Sequence, residues 1–494
     1  MVGVGLSTPY GLPQLASWED VGSVTLLYLY KTLTHRSGTF IDPSWFSLHQ
    51  SRGLDDPSLK VFMRATVFVS EYLVYVPAAI ILLRRYARLQ GVNPWEASIA
   101  LVAILIQPAT ILIDHGHFQY NTVMLGLVLA SISSIMAGRL LWSCVFFVGA
   151  LGFKQMALFY APAIFAYLLG ICLRPRLNIS RFFSIALATL ASFAVLYAPF
   201  LLGSLYDYYR GVNPTKYPIP PLLASLPIKL PRDTWYYELA VQLTQSIHRI
   251  FPFARGLFED KVANVWCALH TFHKLHRYPS AVVQRAALLA TTVAITPPCF
   301  ILFLKPRKDL IFPAFAATAW GFFLCSYQVH EKNVLLPLLP MTFLLGGNGG
   351  MLPETRAWVG LANILGCWTL FPLLGRDNLR VPYVVLTVLW RYLLGLPPTD
   401  SALYRNISPV SVSLPVKIVH LALYATIFVW HIVEYFVPPP KDKPDLWVVL
   451  NVLIGAVGFG LCYLWCLWVL VRQSGLLKQK KIDISEYSKD KKTL

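Results

Sequence analysis

About thirteen apolar runs follow one another through this chain, most of them long enough or nearly long enough to cross a bilayer core. Lipid offers no hydrogen bonds to the backbone, so each spanning segment must satisfy its own N–H and C=O groups, and runs of this length do so as helices. The approximate limits are 61–83, 97–113, 122–137, 141–153, 157–173, 182–203, 283–304, 311–327, 334–346, 358–375, 381–396, 416–437 and 446–471. The fold class read from them is all-α: a polytopic helical membrane protein with about 13 transmembrane or membrane-embedded helices. Shorter runs in a bundle this large are expected to be tilted, broken or buried in protein rather than in lipid. Residues 1–41 form an atypical N-terminal segment. A multispan domain covers 42–475, with one long loop near 204–283, and a basic tail occupies 476–494. The run 21–30 is too short to span, and the N-terminus has no basic region of the kind that opens a signal peptide.

Composition enters as a check on this reading. Hydrophobic residues make up 56% of the 494 and charged residues 13%, which excludes a disordered chain, a collagen-like chain and an ordinary cytosolic enzyme. Lys and Arg total 42 against 24 Asp and Glu, a formal charge of +18. The excess is not laid out as a nucleic-acid surface, because no basic stretch is interleaved with aromatics. It falls between apolar runs, at Arg84, Arg85 and Arg88, at Arg174, Arg176 and Arg181, and at Lys305, Arg307 and Lys308. Cytosolic loops of membrane proteins carry such an excess. The eight cysteines form no C-x-x-C pattern and suggest neither a disulfide framework nor a zinc site.

Six lysines between Lys478 and Lys492 place the C-terminus in the cytosol. Counting back through the runs puts all three basic clusters on the same side, an agreement not used to place the tail. The 204–283 loop falls in the lumen, and long loops escape the charge rule. The chain ends Lys491-Lys492-Thr493-Leu494, which resembles a dilysine address for retrieval to the endoplasmic reticulum, or is simply a solvated basic tail. Asn178 and Asn406 are N-x-S/T sites on the cytosolic side of this count and are predicted to carry no glycan.

Four polar clusters interrupt the apolar chain, and the count puts all four on the lumenal face: 114–121 (D-H-G-H-F-Q-Y-N), Lys154-Gln155, 251–266 (F-P-F-A-R-G-L-F-E-D-K-V-A-N-V-W) and 327–333 (Y-Q-V-H-E-K-N). Ionisable groups at bilayer depth are costly and mark functional sites. Each also has a structural reading. Asp114 could cap a helix end. His115 and His117 could be interfacial, and their spacing does not put them on one helix face for a metal. Lys154 could snorkel to the headgroups. Glu259, Asp260 and Lys261 could be a solvated turn, as could His330, Glu331 and Lys332. Read together, the clusters suit a transferase acting on a lipid-linked sugar. Cations stabilise charge on a departing phosphate, Arg offers a fork of donors to its oxygens, and a carboxylate orients or deprotonates an acceptor hydroxyl. Arg255, Lys261 and Lys154 are the candidates for charge neutralisation. His117 and Gln119 are candidates for shaping the site, with Asp114, Gln155 and Asp260 beside them.

At these clusters the sequence resembles the dolichyl-phosphate-glucose-dependent glucosyltransferases of the endoplasmic reticulum, which have the GT-C fold. The matching stretches are 43–53 (P-S-W-F-S-L-H-Q-S-R-G), 113–121 (I-D-H-G-H-F-Q-Y-N), 153–156 (F-K-Q-M), 251–266 and 328–332 (Q-V-H-E-K), and the resemblance runs from about Asp42 to about Gly475. Within the family, R-G-L-F-E-D-K-V-A-N at 255–264 is similar to the enzyme that adds the first glucose to the high-mannose dolichyl-pyrophosphate oligosaccharide, rather than to the sister that adds the second. The resemblance implies inverting transfer from dolichyl phosphate glucose to a mannose 3-hydroxyl with formation of an α-1,3 bond. The donor and the acceptor are lipid-linked, the site is lumenal, and no cofactor or metal is implied. It puts Glu259 and His330 in the site, His330 near the donor phosphate. Family members begin with a span and a lumenal loop bearing G-D-x-E-A-Q-R-H-W-like and G-L-D-Y-P-P-like stretches, the first of which is expected to hold the catalytic base. Neither occurs here, and nothing before about Ile41 matches, so the expectation is of a family member without that span and base. A transporter or lipid flippase, which would show internal repeats and polar groups near the midplane, and a non-catalytic membrane fragment are the competing classes.

Overall fold

A computed structural model describes residues 56–211, 219–225, 230–250, 261–396 and 412–476, with a few isolated positions elsewhere. The main elements, in chain order, are α1 (Pro57–Gln90), α2 (Pro94–Phe118), α3 (Asn121–Met136), α4 (Leu140–Phe153), α5 (Gln155–Leu173) and α6 (Ile179–Tyr209). After them come α7 (Trp235–Ile250), α8 (Val265–Phe272), α9 (Ser280–Leu304), α10 (Ile311–Cys325) and α11 (Leu335–Phe343). The last are α12 (Pro353–Thr369), α13 (Phe371–Arg376), α14 (Arg380–Leu394), α15 (Leu414–Phe436) and α16 (Leu446–Ser474). Among the described residues the one strand pairing is a two-residue antiparallel contact of Leu6–Ser7 with Pro13–Gln14. The chain is an all-helical membrane bundle.

Every one of the thirteen apolar runs coincides with a helix, though they do not all span alike. Eight helices are long and apolar enough to cross a membrane: α1, α2, α5, α6, α9, α10 (counted from Lys308), α15 and α16. The others are shorter and lie inside. All nine residues of α11 are buried, as is nearly all of α12. A helix walled in by neighbours faces protein on every side and needs no bilayer-spanning length. At the other extreme the apolar window of α6 has no residue buried inside the protein, so its surface is offered to lipid. Part of the long loop is helical as well, since α6 runs to Tyr209 and α7 and α8 follow before α9.

The helix ends are chemically marked. Pro57 opens α1 at a position whose N–H has no intrahelical partner, and Asp56 caps it by accepting from the amides of Ser58 and Leu59 at 3.2 and 3.3 Å. Asn93 caps α2 and Asn264 caps α8 in the same way. α2 is broken after Leu105. Gln107 bridges the break, donating to Thr342 Oγ1 (3.1 Å) and Asn363 Oδ1 (2.7 Å) while accepting from Thr110 (2.8 Å), so α2 is tied to α11 and α12. Two segments wind as π-helix, Glu71–Tyr75 within α1 and Leu112–Phe118 at the end of α2. α3 packs on the first of these backbone to backbone: a Cβ on Gly126 would lie 2.8 Å from the Tyr75 Cα.

Contacts between helix termini sort those termini into two groups, so the two ends of the bundle differ. At one end the basic clusters close helix C-termini. Arg85 donates to Ser133 O and Oγ (3.0 Å each), Lys308 to Met136 O (2.8 Å) and Lys305 to Ser474 O (2.6 Å), and Arg174 lies over the Phe303 ring. Cations there satisfy orphan carbonyls and meet the negative end of the helix dipole. At the opposite end lie the C-termini of α2, α4 and α10, the N-termini of α3, α5 and α16, and the loop carrying His330. Two of the basic residues at this end are paired with carboxylates, Lys261 with Asp445 and Arg380 with Glu434.

Candidate active site

The first polar cluster is the π-helical end of α2. The wider turn re-aims successive side chains, and π segments concentrate at functional positions. Asp114 is fully buried. One of its carboxylate oxygens accepts from Asn121 Nδ2 at 2.7 Å and the other from the Thr122 amide at 2.6 Å, so the carboxylate caps α3 from the preceding turn. Asn121 Nδ2 also donates to Gln119 Oε1 at 3.1 Å, and Lys154 Nζ donates to the same oxygen at 3.2 Å. Asp114, Asn121, Gln119 and Lys154 are thus one connected tile joining the ends of α2 and α4 to the start of α3.

The two histidines diverge. His115 Nε2 meets Glu71 Oε2 at 2.5 Å, and Glu71 is buried in the π segment of α1. His117 Nδ1 meets Asp377 Oδ2 at 2.5 Å, beyond α13. Gly116 between them leaves room for Leu379, whose Cδ1 would sit 2.8 Å from an added Cβ. Tyr120 OH lies 2.5 Å from Thr66 Oγ1 of α1.

Gln155 opens a 3₁₀ turn, Gln155–Tyr160, that continues into α5. Phe159 stacks on Phe322 near the end of α10 (5.1 Å), and Tyr160 OH donates to Leu336 O of α11. The second cluster is thereby held beside the Tyr327–Asn333 segment, which carries His330 between those two helices. Gln284 of α9 donates to Tyr327 OH at 3.3 Å. The third cluster reaches the same end. Val262 and Ala263 are buried, Ala263 against Gly455 of α16, and Trp266 Nε1 donates to Cys325 O at 2.6 Å. Lys261 forms an ion pair with Asp445 at the start of α16. Arg255, Glu259 and Asp260 lie outside the described residues, as do Asn406, most of 43–53 and the tail beyond Leu476.

Three residues other than glycine have positive φ among the described residues: Phe118 (73°), Gln328 (59°) and Asn378 (58°). Each sits beside a candidate residue, next to His117 and Gln119, two before His330, and directly after Asp377. Backbone held in this region costs on the order of 1–3 kcal/mol per residue, and such strain gathers where geometry serves a ligand. The side-chain oxygens of Asn121 and Asn333 are buried without a protein partner. A sugar hydroxyl is a donor suited to such acceptors.

Glu71 and Asp377 were missed by the sequence reading. Glu71 had a signal, being a lone acid within an apolar run, where ionisable groups are functional by default. Asp377 had none, because it reaches His117 only through the tertiary fold.

The sequence model of the ALG6, ALG8 glycosyltransferase family matches residues 27–215 and 233–468 of this chain. The chain belongs to this family. The ALG6, ALG8 match covers all four polar clusters and begins at residue 27, earlier than the resemblance near Asp42 read from motifs alone. Relatives agree over the same span. A Schizosaccharomyces pombe protein named a probable dolichyl pyrophosphate Man9GlcNAc2 alpha-1,3-glucosyltransferase is 38% identical over 439 residues, 89% of this chain and 77% of that protein. The Saccharomyces cerevisiae protein of that name, without "probable", is 38% identical over 452 residues, 87% of this chain and 76% of its own. The Mus musculus protein is 31% identical over 440 residues, 85% and 78%. Membership of the ALG6, ALG8 family makes the chain a membrane-embedded hexosyltransferase, and the transporter and flippase reading falls away.

Proposed function

We propose that this chain transfers the first glucose onto a dolichyl-pyrophosphate-linked high-mannose oligosaccharide, forming an α-1,3 bond with dolichyl phosphate glucose as donor, at the lumenal face of the endoplasmic reticulum membrane. The observation that carries the reading is the relatives' shared name. The acceptor it states, Man9GlcNAc2, contains no glucose, so the sugar added to it is the first. The charge asymmetry of the bundle supports the sidedness. The basic clusters share one end, the end that faces the cytosol under the positive-inside rule, and the polar clusters share the other.

The chemistry follows from the parts. In a single displacement the acceptor oxygen bonds to the anomeric carbon as the bond from that carbon to the phosphate oxygen breaks. Dolichyl phosphate leaves with the electron pair, and the hydroxyl proton passes to a base. Phosphate is stable as an anion, so the leaving group needs neighbouring cations and donors rather than a dedicated acid. Lys154 and His330 at the polar end suit that task, with Arg255 and Lys261 from the third cluster. Glu259 orients or deprotonates the acceptor hydroxyl. Gln119, Asp114 and Asn121 hold Lys154 in place, and His117 and Gln155 are the further substrate-binding candidates at this end.

The test uses membranes free of endogenous activity, given radiolabelled dolichyl phosphate glucose and dolichyl-pyrophosphate Man9GlcNAc2. One added hexose, released by an α-glucosidase and 3-linked by methylation analysis, is the expected product. Transfer only to an acceptor that already carries one glucose would reassign the chain to the sister reaction. No transfer to either would overturn the proposal.

A further inference from the structure

Just before α9 enters the bundle the chain reads His270-Thr271-Phe272-His273-Lys274-Leu275-His276-Arg277-Tyr278. Three histidines, a lysine and an arginine stand together at the polar end, in the last stretch of the long loop before a span. Gln284, in the second turn of α9, bonds Tyr327, and Trp266 of α8 bonds the end of α10, so this segment is anchored on both sides to the loop that carries His330. His273, Lys274, His276 and Arg277 are exposed. Phe272 (73% exposed) and Tyr278 (56%) flank them, and exposed aromatics beside a span settle at headgroup depth. The segment is folded, not loose. The Leu275 amide donates to His270 Nδ1 at 3.2 Å within a turn that closes on Arg277, and the His270 and His276 rings lie 5.5 Å apart. With Nδ1 accepting, His270 keeps its proton on Nε2 and is a neutral donor. Burial, and then the charges of His276 and Lys274, hold its pKa below the usual histidine value.

We infer that this segment binds a lipid-borne phosphate at the membrane surface, and that in the transfer reaction this phosphate is the pyrophosphate of the acceptor. Lys274 and Arg277 supply charge, and the histidines supply N–H donors. The ring faces of Phe272 and Tyr278 hold the segment at the depth where a dolichyl pyrophosphate emerges from the bilayer. The identity of the lipid rests on the proposed acceptor. Bulk anionic phospholipid is the other source of the same chemistry.

The experiment measures binding of dolichyl-pyrophosphate-chitobiose to the full chain in phosphatidylcholine nanodiscs, with phosphatidylserine discs as the second arm. K274Q/R277Q is expected to bind the probe about thirtyfold more weakly, since each of the two cations at a membrane surface contributes about 1 kcal/mol toward anionic lipid and about 1.4 kcal/mol is tenfold. K441Q/K443Q, which removes the same charge from another exposed loop, is expected to bind as the parent does. Weakening for the probe without weakening for phosphatidylserine assigns the acceptor. The reverse assigns bilayer headgroups and overturns the acceptor. Equal binding by the parent and K274Q/R277Q, or equal loss in both variants, overturns the site. The proposed function is tested apart from it. A chain that transfers no glucose but binds the probe through Lys274 and Arg277 loses the transfer reading and keeps the site. One that transfers with an unchanged acceptor KM in K274Q/R277Q does the opposite.

Discussion

Asp114 has both carboxylate oxygens committed to Asn121 and the Thr122 amide, so its first duty is to hold the start of α3 against the end of α2. Through Asn121 and Gln119 the same carboxylate is also connected to Lys154, so the helix-cap role of this residue extends to the end of α4. His330 is the residue on which transfer is expected to depend most directly. H330A should lower kcat by about 10²–10³, the usual loss when one group stabilising a departing anion is removed, and E259A should also lower transfer. Unchanged lipid-linked product in both variants would sink the assignment of these two residues. Glu71 poses a different test. Its carboxylate is buried against His115, so E71A should leave a buried group unsatisfied and lower stability by about 1–3 kcal/mol, whereas E71Q retains a hydrogen-bond partner and should lose less. Thermal unfolding in detergent, followed by tryptophan fluorescence, separates the two. Glu71 was legible in the sequence as an isolated acid in an apolar run. Its partner was not, because 44 residues of chain separate them.

Among the elements, the π segments of α1 and α2 decide where the site's side chains point, and α3 fixes the first of them. The absence of a side chain at Gly126 is what admits the Tyr75 backbone. G126V places a methyl-bearing carbon where backbone stands at 2.8 Å, and should cost about 1–3 kcal/mol or more. Because the strain displaces Glu71 rather than the transfer chemistry, activity at low temperature should survive better than the thermal midpoint. α7 offers a pH test. Glu238 is buried on that helix, and burial raises its carboxyl pKa. A carboxyl with a raised folded pKa holds its proton more tightly in the folded state, so it costs stability increasingly as pH rises from the unfolded value through the folded one. E238Q should therefore raise the thermal midpoint at neutral pH and lose that advantage below about pH 4, where the carboxyl is protonated in both states. A constant difference across the pH range would refute the cause.

For the whole molecule, the separation of a basic end from a polar end is the feature that links fold to membrane. It carries a direct expectation for Asn178, which caps the start of α6 beside the Arg174 and Arg181 cluster. In microsomes that glycosylate an engineered lumenal site, Asn178 should carry no glycan. A glycosidase-sensitive mobility shift lost in N178Q would invert the sidedness of the bundle. The sequence by itself determined the all-α class and the positions and order of the helices formed by the apolar runs. Hydropathy and the placement of Lys and Arg are local properties that the bilayer reads residue by residue. Only the tertiary structure decided which of the short runs are walled in by protein, that His115 and His117 turn to different carboxylates, and that Lys154 is held by Gln119. Those facts depend on contacts between segments far apart in the chain. Helix packing sets such contacts, and a linear pattern of apolar and polar residues does not encode them one by one.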